Sequence, residues 1–179
     1  MFMHADFGHL FCNMFAVLMF GPALEREWGE RKFLLYYLVC GLGAALIQEL
    51  VWMAFMPSVP TVTIGASGAV FGILFAFGWL FPDVPLFLLF IPVPIRARIF
   101  VIVYAVIELF AGLGNIAGIA GDNVAHFAHL GGMLFGWLLI LCWQKGLFDG
   151  RGRMHRAAEP KEKGERDFSG YHYHSSLDD

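Results

Sequence analysis

The chain has 179 residues, of which 58% are hydrophobic and only 15% are charged, and its net charge is −3. Because a soluble domain of this length carries about 25% charged residues, the composition predicts a membrane protein. No basic patch interleaves with aromatic residues, which argues against a nucleic-acid partner. The apolar blocks end near residue 143, so we predict a membrane domain over residues 1–143 and a polar, disordered tail over residues 144–179.

Five apolar stretches are candidates for membrane helices, each of which needs about 20 residues to cross a bilayer. They cover roughly residues 7–24, 33–55, 67–81, 95–113 and 124–143, and an interfacial stretch over 85–92 precedes the fourth. The first and third are short, so polar residues on them need protein rather than lipid as neighbours. Tryptophans near the predicted ends are expected to anchor the helices at the membrane surface: Trp28, Trp52, Trp79 and Trp143. The pattern predicts an all-α polytopic membrane protein.

The lysines and arginines predict which way the helices run. All of them lie on alternate connections: between the first two stretches, between the third and fourth, and after the fifth. Since basic residues favour the cytoplasmic side, we expect the C-terminus in the cytoplasm and the N-terminus on the outer face. The first residues hold no cleavable signal, and a chain that begins outside needs an earlier helix to carry it there. We therefore expect a further N-terminal transmembrane helix in the native protein.

Polar side chains at the outer ends of three stretches are functional candidates, because such groups are costly inside a membrane. They are His4, His9 and Asn13 on the first, Ser67 on the third, and His126 and His129 on the fifth. Their similar depth indicates a single site. Glu108, in the fourth stretch, has no role in this pattern, and we interpret it as a neutral group bonded to a neighbouring helix.

Small residues indicate which helices touch. Gly68 and Gly72 form one small-xxx-small pair, and Gly132 and Gly136 form another, a spacing that lets helix backbones approach closely in lipid. His129 shares a helix face with the second pair. If these faces pack together, the Ser67 hydroxyl comes within hydrogen-bond reach of an imidazole, which can act as the base that a serine nucleophile needs.

These segments resemble the hallmarks of the rhomboid family over residues 1–143. The matching motifs are His4-x4-His9-x3-Asn13, Gly65-Ala66-Ser67-Gly68 and Ala128-His129-Leu130-Gly131-Gly132-x3-Gly136. The resemblance implies a six-helix core, of which five helices are present here, and a serine protease that cleaves single-pass transmembrane substrates near the outer face of a bacterial cytoplasmic membrane. It implies a Ser–His dyad, with neither a cofactor nor a metal.

The resemblance also implies individual roles. Ser67 matches the nucleophile, His129 the base, and His9 and Asn13 the side chains that stabilise the oxyanion. Supporting positions are His4, the loop residue Gly65, the packing residues Gly132 and Gly136, and Phe71, which stands where the family often has a tyrosine under the imidazole. His126 is the alternative base, but only His129 has glycines three and seven residues later.

Three other functions stay open. A catalytically inactive rhomboid-like protein that binds membrane clients would also carry these motifs. Four imidazoles at one depth, those of His4, His9, His126 and His129, would suit a zinc-dependent membrane enzyme, which a chelator would inhibit. A small transporter is the third alternative, but the sequence holds no internal repeat.

Overall fold

A computed structural model describes residues 6–55, 66–88, 91–119 and 124–146. In chain order these ranges form α1 (Phe7–Trp28), α2 (Glu30–Phe55), α3 (Ser67–Leu80), β1 (Pro85–Leu88), β2 (Ile91–Arg96), α4 (Ala97–Ile116) and α5 (His126–Gln144). The predicted helical bundle is confirmed: the described residues form five α-helices, of which four are long and apolar enough to cross a membrane. The predictions for His4, Gly65 and most of the C-terminal tail lie outside the described residues.

Within the described ranges, four helices are long and apolar enough to cross a membrane, namely α1, α2, α4 and α5. The remaining helix, α3, has 14 residues and is short, as expected. In contrast, α1 is longer than predicted, with 22 residues. The polar run after residue 24 continues the helix as far as Gly29, whose positive φ of 80° ends it while its N–H donates to the Glu25 carbonyl.

The interfacial stretch expected before the fourth helix is a β-hairpin. Its strands β1 and β2 pair antiparallel, with Pro85 opposite Arg96 and Leu86 opposite Ile95. Asp83, just before the hairpin, accepts from Arg98 at 2.6 Å at the start of α4. This ion pair ties the end of α3 to the beginning of α4.

Contacts between the helices define their directions. On α2 and α3, Ala44 lies against Gly68 and Cys40 against Gly72, so the two helices are antiparallel. On α5, the carbonyls of Ala128 and Gly132 face the same two glycines in the same order, so α5 runs parallel to α3. The first turns of α3 and α5 therefore share one end of the bundle, which we call the serine end.

The opposite end of the bundle, which we call the aromatic end, is packed by large rings. The ring of Trp28 lies 4.8 Å from Tyr36 and 5.2 Å from Trp143, between centroids. Leu24 and Ile140 complete this core and are fully buried. The expectation that Trp28 and Trp143 anchor the helices at the membrane surface is wrong, because only 9% and 3% of their surface is exposed.

Close helix packing at the serine end depends on glycine. A Cβ atom on Gly132 would collide with the carbonyl oxygen of Gly68, so the backbones of α3 and α5 touch there. Gly136 behaves differently from the sequence-based expectation. A Cβ atom there would meet Tyr36 and Cys40 of α2 rather than α3. The Tyr36 hydroxyl also donates to the Gly72 carbonyl at 2.8 Å, which links α2 to α3.

Candidate active site

Ser67 opens α3, directly after the capping residue Ala66. The first backbone N–H groups of a helix have no partner within it, and the helix dipole makes this end partly positive. The Ser67 side chain is half-buried, and its Oγ lies 2.9 Å from Nε2 of His129. Contact between the α3 and α5 backbones at Gly68 and Gly132 brings the two side chains this close.

The His129 ring is fixed on two sides. Phe71, one turn after Ser67, stacks on the imidazole with ring centroids 4.0 Å apart and planes 8° apart. The other ring nitrogen, Nδ1, lies 2.9 Å from Oε2 of Glu108 on α4. Only 7% of the residue surface of His129 is exposed. A buried ring held by a stack and by bonds at both nitrogens has one orientation toward Ser67.

Glu108 joins the two histidines of α5. Its Oε2 lies 2.7 Å from Nδ1 of His126 and 2.9 Å from Nδ1 of His129, and 6% of the residue is exposed. Sequence reasoning gave Glu108 a bond to a neighbouring helix but no part in the site. Two signals pointed to it: an acidic residue inside a membrane stretch, and two histidines three residues apart that present imidazoles on one helix face.

His126 contacts Glu108 through its Nδ1 nitrogen. Its ring centroid is 6.5 Å from that of His129, and the planes are nearly perpendicular at 89°. The nitrogen next to Ser67 Oγ belongs to His129. The geometry therefore gives His126 a contact with the acid and His129 the contact with the hydroxyl.

A second residue outside the sequence motifs supports the first turn of α5. The side chain of the capping residue Ala125 makes no capping hydrogen bond. The buried side chain of Gln48, on α2, instead accepts from the backbone N–H of Ala128 at 3.0 Å. This bond satisfies a donor of the first helical turn and fixes the backbone next to His129. A lone glutamine in an apolar stretch was its only sequence signal.

His9 and Asn13 lie on α1 toward the serine end. The chain reverses after Gly29, so that Gly21 faces Phe33, and α1 runs the same way as α3. The rings of Phe20 and Phe77 meet at 5.0 Å. Counting back from this contact at about 1.5 Å of rise per residue, His9 on α1 and Ser67 on α3 lie at nearly the same depth in the bundle.

Asn13 lies about one turn deeper than His9 and is 4% exposed. Within the described part of the chain, its Nδ2 is buried and has no hydrogen-bond partner. A buried donor without a partner is costly, and it is available to bind an acceptor from another molecule. His9 is half-buried, and its backbone N–H donates to Asp6 at 2.7 Å, which caps α1.

The cluster of Glu108, His126 and His129 also has the donor types of a metal site, with ligand atoms within 4.8 Å of one another. Zinc bonds of about 2.0–2.2 Å in a tetrahedron separate ligand atoms by roughly 3.3 Å. Both imidazole nitrogens lie closer than that to Oε2, at 2.7 and 2.9 Å. These separations are those of direct hydrogen bonds, so the arrangement fits a carboxylate between two imidazoles better than a metal centre.

Fold and site together define an integral membrane protein with a serine–histidine pair near one end of its helical bundle. The family model for the rhomboid domain matches residues 1–145. The chain belongs to the rhomboid family, whose members are generally intramembrane serine proteases. No solved structure matches the chain.

Curated relatives are similar over most of this chain. The chain is 39% identical over 143 residues to rhomboid-like protein 11, chloroplastic, of Arabidopsis thaliana. The matched region covers 78% of this chain and 49% of the relative. Rhomboid protein 1, mitochondrial, of Saccharomyces cerevisiae is 32% identical, with 80% and 41% covered. RHOMBOID-like protein 4 of Arabidopsis thaliana is 34% identical, with 76% and 31% covered. The chain thus spans between 31% and 49% of the length of these relatives.

Proposed function

We propose that this chain is an intramembrane serine endopeptidase that cleaves single-pass transmembrane proteins through Ser67 and His129. One observation carries the proposal. The Ser67 hydroxyl lies 2.9 Å from Nε2 of a buried histidine, within a helical bundle long and apolar enough to cross a membrane. A serine hydroxyl becomes a useful nucleophile only with such a base beside it.

The reaction follows the usual course of acyl transfer. Ser67 Oγ attacks the carbonyl carbon of the scissile peptide while its proton passes to Nε2 of His129. The tetrahedral intermediate then collapses, the C–N bond breaks, and His129 returns the proton to the leaving amine nitrogen. Water attacks the acyl-enzyme next, with His129 again as base. The Ser67 ester is cleaved, and the hydroxyl recovers its proton.

The developing oxyanion needs hydrogen-bond donors. The backbone N–H of Ser67, at the positive end of the α3 dipole, is one candidate. The Nδ2 group of Asn13, buried and without a partner in the described residues, is the second, and the imidazole of His9 is the third. Such donors stabilise the intermediate more than the substrate, so they act on kcat.

The direction of the bundle supports cleavage near the outer membrane face. Basic residues lie at the aromatic end or in the C-terminal sequence that follows it, among them Arg26, Arg31, Arg96, Arg98 and Lys145. By the positive-inside rule, that end faces the cytoplasm, and the serine end lies toward the outer leaflet. We infer a bacterial cytoplasmic membrane location, a protease domain over 1–143 and a cytoplasmic tail over 144–179.

The test is cleavage of a fluorescent single-pass transmembrane protein co-reconstituted with the chain in liposomes. The wild-type chain and a Ser169→Ala control, altered in the C-terminal tail, are expected to release the same fragment. Ser67→Ala is expected to release none. Equal cleavage by Ser67→Ala, or none by the wild-type chain, would contradict the proposal.

A zinc-dependent hydrolase is the second candidate, because Glu108, His126 and His129 carry the donor types of a metal site, although their separations fit direct hydrogen bonds better. The same liposome assay separates the two. A strong chelator should leave a serine protease at full rate, whereas a zinc enzyme should lose activity and regain it when zinc is added.

A further inference from the structure

Among the described residues, Glu108 is the only acidic residue whose side chain contacts the imidazole of His129. It comes from α4, whereas Ser67 lies on α3 and His129 on α5, so three helices meet at these three side chains. The order of contacts is Ser67 Oγ to His129 Nε2, and His129 Nδ1 to Glu108 Oε2, both 2.9 Å. A hydroxyl, an imidazole and a carboxylate in this order form the triad geometry of serine hydrolases.

We propose that Glu108 is a positioning residue that holds His129 in the base-competent form, so that this rhomboid site works with three groups rather than a Ser–His dyad alone. The proposal rests on the serine-protease function proposed above. Glu108 touches neither the substrate nor the reacting atoms. It acts through the Nδ1 nitrogen of His129, on the side of the ring opposite Ser67.

The first part of the argument concerns the tautomer. A neutral imidazole carries its proton on only one nitrogen. Two imidazole nitrogens converge on the same oxygen, Oε2 of Glu108, which fits an ionised carboxylate rather than the neutral group expected from the sequence. Such a carboxylate has no proton to donate, so its 2.9 Å contact with His129 requires the proton on Nδ1. Nε2 is then bare and accepts from the Ser67 hydroxyl. The opposite tautomer would direct an N–H at Ser67 and could not take its proton.

The second part concerns charge. A buried carboxylate is costly unless donors surround it, and only 6% of Glu108 is exposed. His126 supplies one donor through Nδ1 at 2.7 Å, and His129 supplies another. When His129 takes the Ser67 proton it becomes an imidazolium ion, and the carboxylate beside it offsets that new charge. The acid thereby favours the transition state over the resting enzyme.

The third part concerns His126, which the sequence motifs left as a neighbour of the base. Its hydrogen bond to Glu108 helps to hold the carboxylate between the imidazole rings of His126 and His129. Loss of His126 should therefore weaken the effect of Glu108 without abolishing it. We expect His126→Gln to lower kcat about tenfold, the equivalent of one hydrogen bond to a charged group.

The main test replaces Glu108 with Gln, which keeps the shape and removes the charge. Glu49→Gln is the matched control, because the same change falls on an exposed glutamate of α2. In the liposome cleavage assay, we expect Glu108→Gln to lower kcat on the order of 10²- to 10⁴-fold, with KM unchanged. Glu108→Asp, which keeps the charge on a shorter side chain, should recover part of the loss. Glu49→Gln should match the wild-type chain.

A spectroscopic readout on the wild-type protein separates positioning from a merely structural role, because it requires no substitution at Glu108. Nitrogen-15 NMR of histidine-labelled wild-type protein reports which ring nitrogen of His129 carries the proton, with Ser67→Ala used to assign its signals. We expect Nδ1 protonated and Nε2 bare in the wild-type chain. A proton on Nε2 of His129 would overturn the proposal.

The outcomes distinguish the two claims. An active wild-type chain together with a Glu108→Gln variant of unchanged kcat overturns the role of Glu108 and leaves the serine-protease proposal standing. An inert wild-type chain overturns the serine-protease proposal and the role of Glu108 with it. Activity that disappears with a chelator and returns with zinc would mean a zinc enzyme, which overturns both the serine-protease proposal and the positioning role of Glu108.

Discussion

The two ends of the bundle bury opposite kinds of side chain. At the serine end, α1, α3, α4 and α5 enclose a buried amide, a carboxylate and two imidazoles, those of Asn13, Glu108, His126 and His129. At the aromatic end, the same bundle encloses Trp28, Tyr36, Trp143 and fully buried aliphatic residues. Buried polar groups cost free energy unless they are paired, whereas packed rings stabilise the fold. Under the proposed function, the serine end carries the chemistry, whereas the aromatic end holds the helices together.

The largest expected effect is at the serine end. His129→Ala removes the group beside Ser67 Oγ, so we expect kcat/KM for transmembrane substrate to fall on the order of 10⁴- to 10⁶-fold. The melting temperature in detergent should fall only modestly: Glu108 loses one of its two donors, but the packing of the aromatic end is untouched. Leu138→Ala, on the exposed face of the same helix, is the control and should keep its activity. A His129→Ala protein with normal turnover would remove this residue from the reaction.

The reverse pattern is expected at the aromatic end. Ile140 is fully buried in the core with Leu24 and Tyr36, and Ile140→Ala leaves a cavity there. We expect a loss of about 2–5 kcal/mol in the free energy of unfolding, measured by denaturant titration in detergent micelles. Turnover per folded molecule should stay within a few fold of wild type. Intact stability would show that this region does not hold the bundle together.

Asn13 tests whether a buried polar group at the serine end serves the reaction. Asn13→Ala removes an amide nitrogen that has no partner in the described residues. If that nitrogen binds the oxyanion, kcat should fall on the order of 10²-fold, with KM unchanged in steady-state cleavage assays. Stability should hold or rise slightly, because an unsatisfied donor is lost. An unchanged kcat would exclude Asn13 as an oxyanion donor.

The smallest expected effect comes from the hydrogen bond between α2 and α3. Tyr36→Phe deletes the hydroxyl that donates to the Gly72 carbonyl at 2.8 Å but keeps the ring in the aromatic core. We expect the free energy of unfolding to fall by about 1 kcal/mol, with no change in kcat. Thermal unfolding followed by circular dichroism measures this shift. A large loss of turnover would mean that this bond also positions the start of α3.

The sequence was sufficient to predict the bundle because apolar length and basic-residue placement depend on local composition. It also located Ser67 and His129, because GxSG and His-x2-Gly-x3-Gly are short motifs on single helices. Glu108 and Gln48 were missed as site residues, because their roles depend on which helix faces reach α5 after folding. The hairpin at 85–96 was missed because a Pro-rich apolar run resembles an interfacial segment, and strand pairing is not local. The roles of all the site residues stay predictions, and His4 and Gly65 also lie outside the described residues.

The most direct test of the central claim is labelling with a fluorophosphonate, a reagent that reacts with activated serines, followed by mass spectrometry of the detergent-solubilised chain. We predict one adduct on Ser67, unaffected by Ser169→Ala and lost in Ser67→Ala and His129→Ala. An adduct that survives Ser67→Ala, or a wild-type chain that takes no label, would contradict the account.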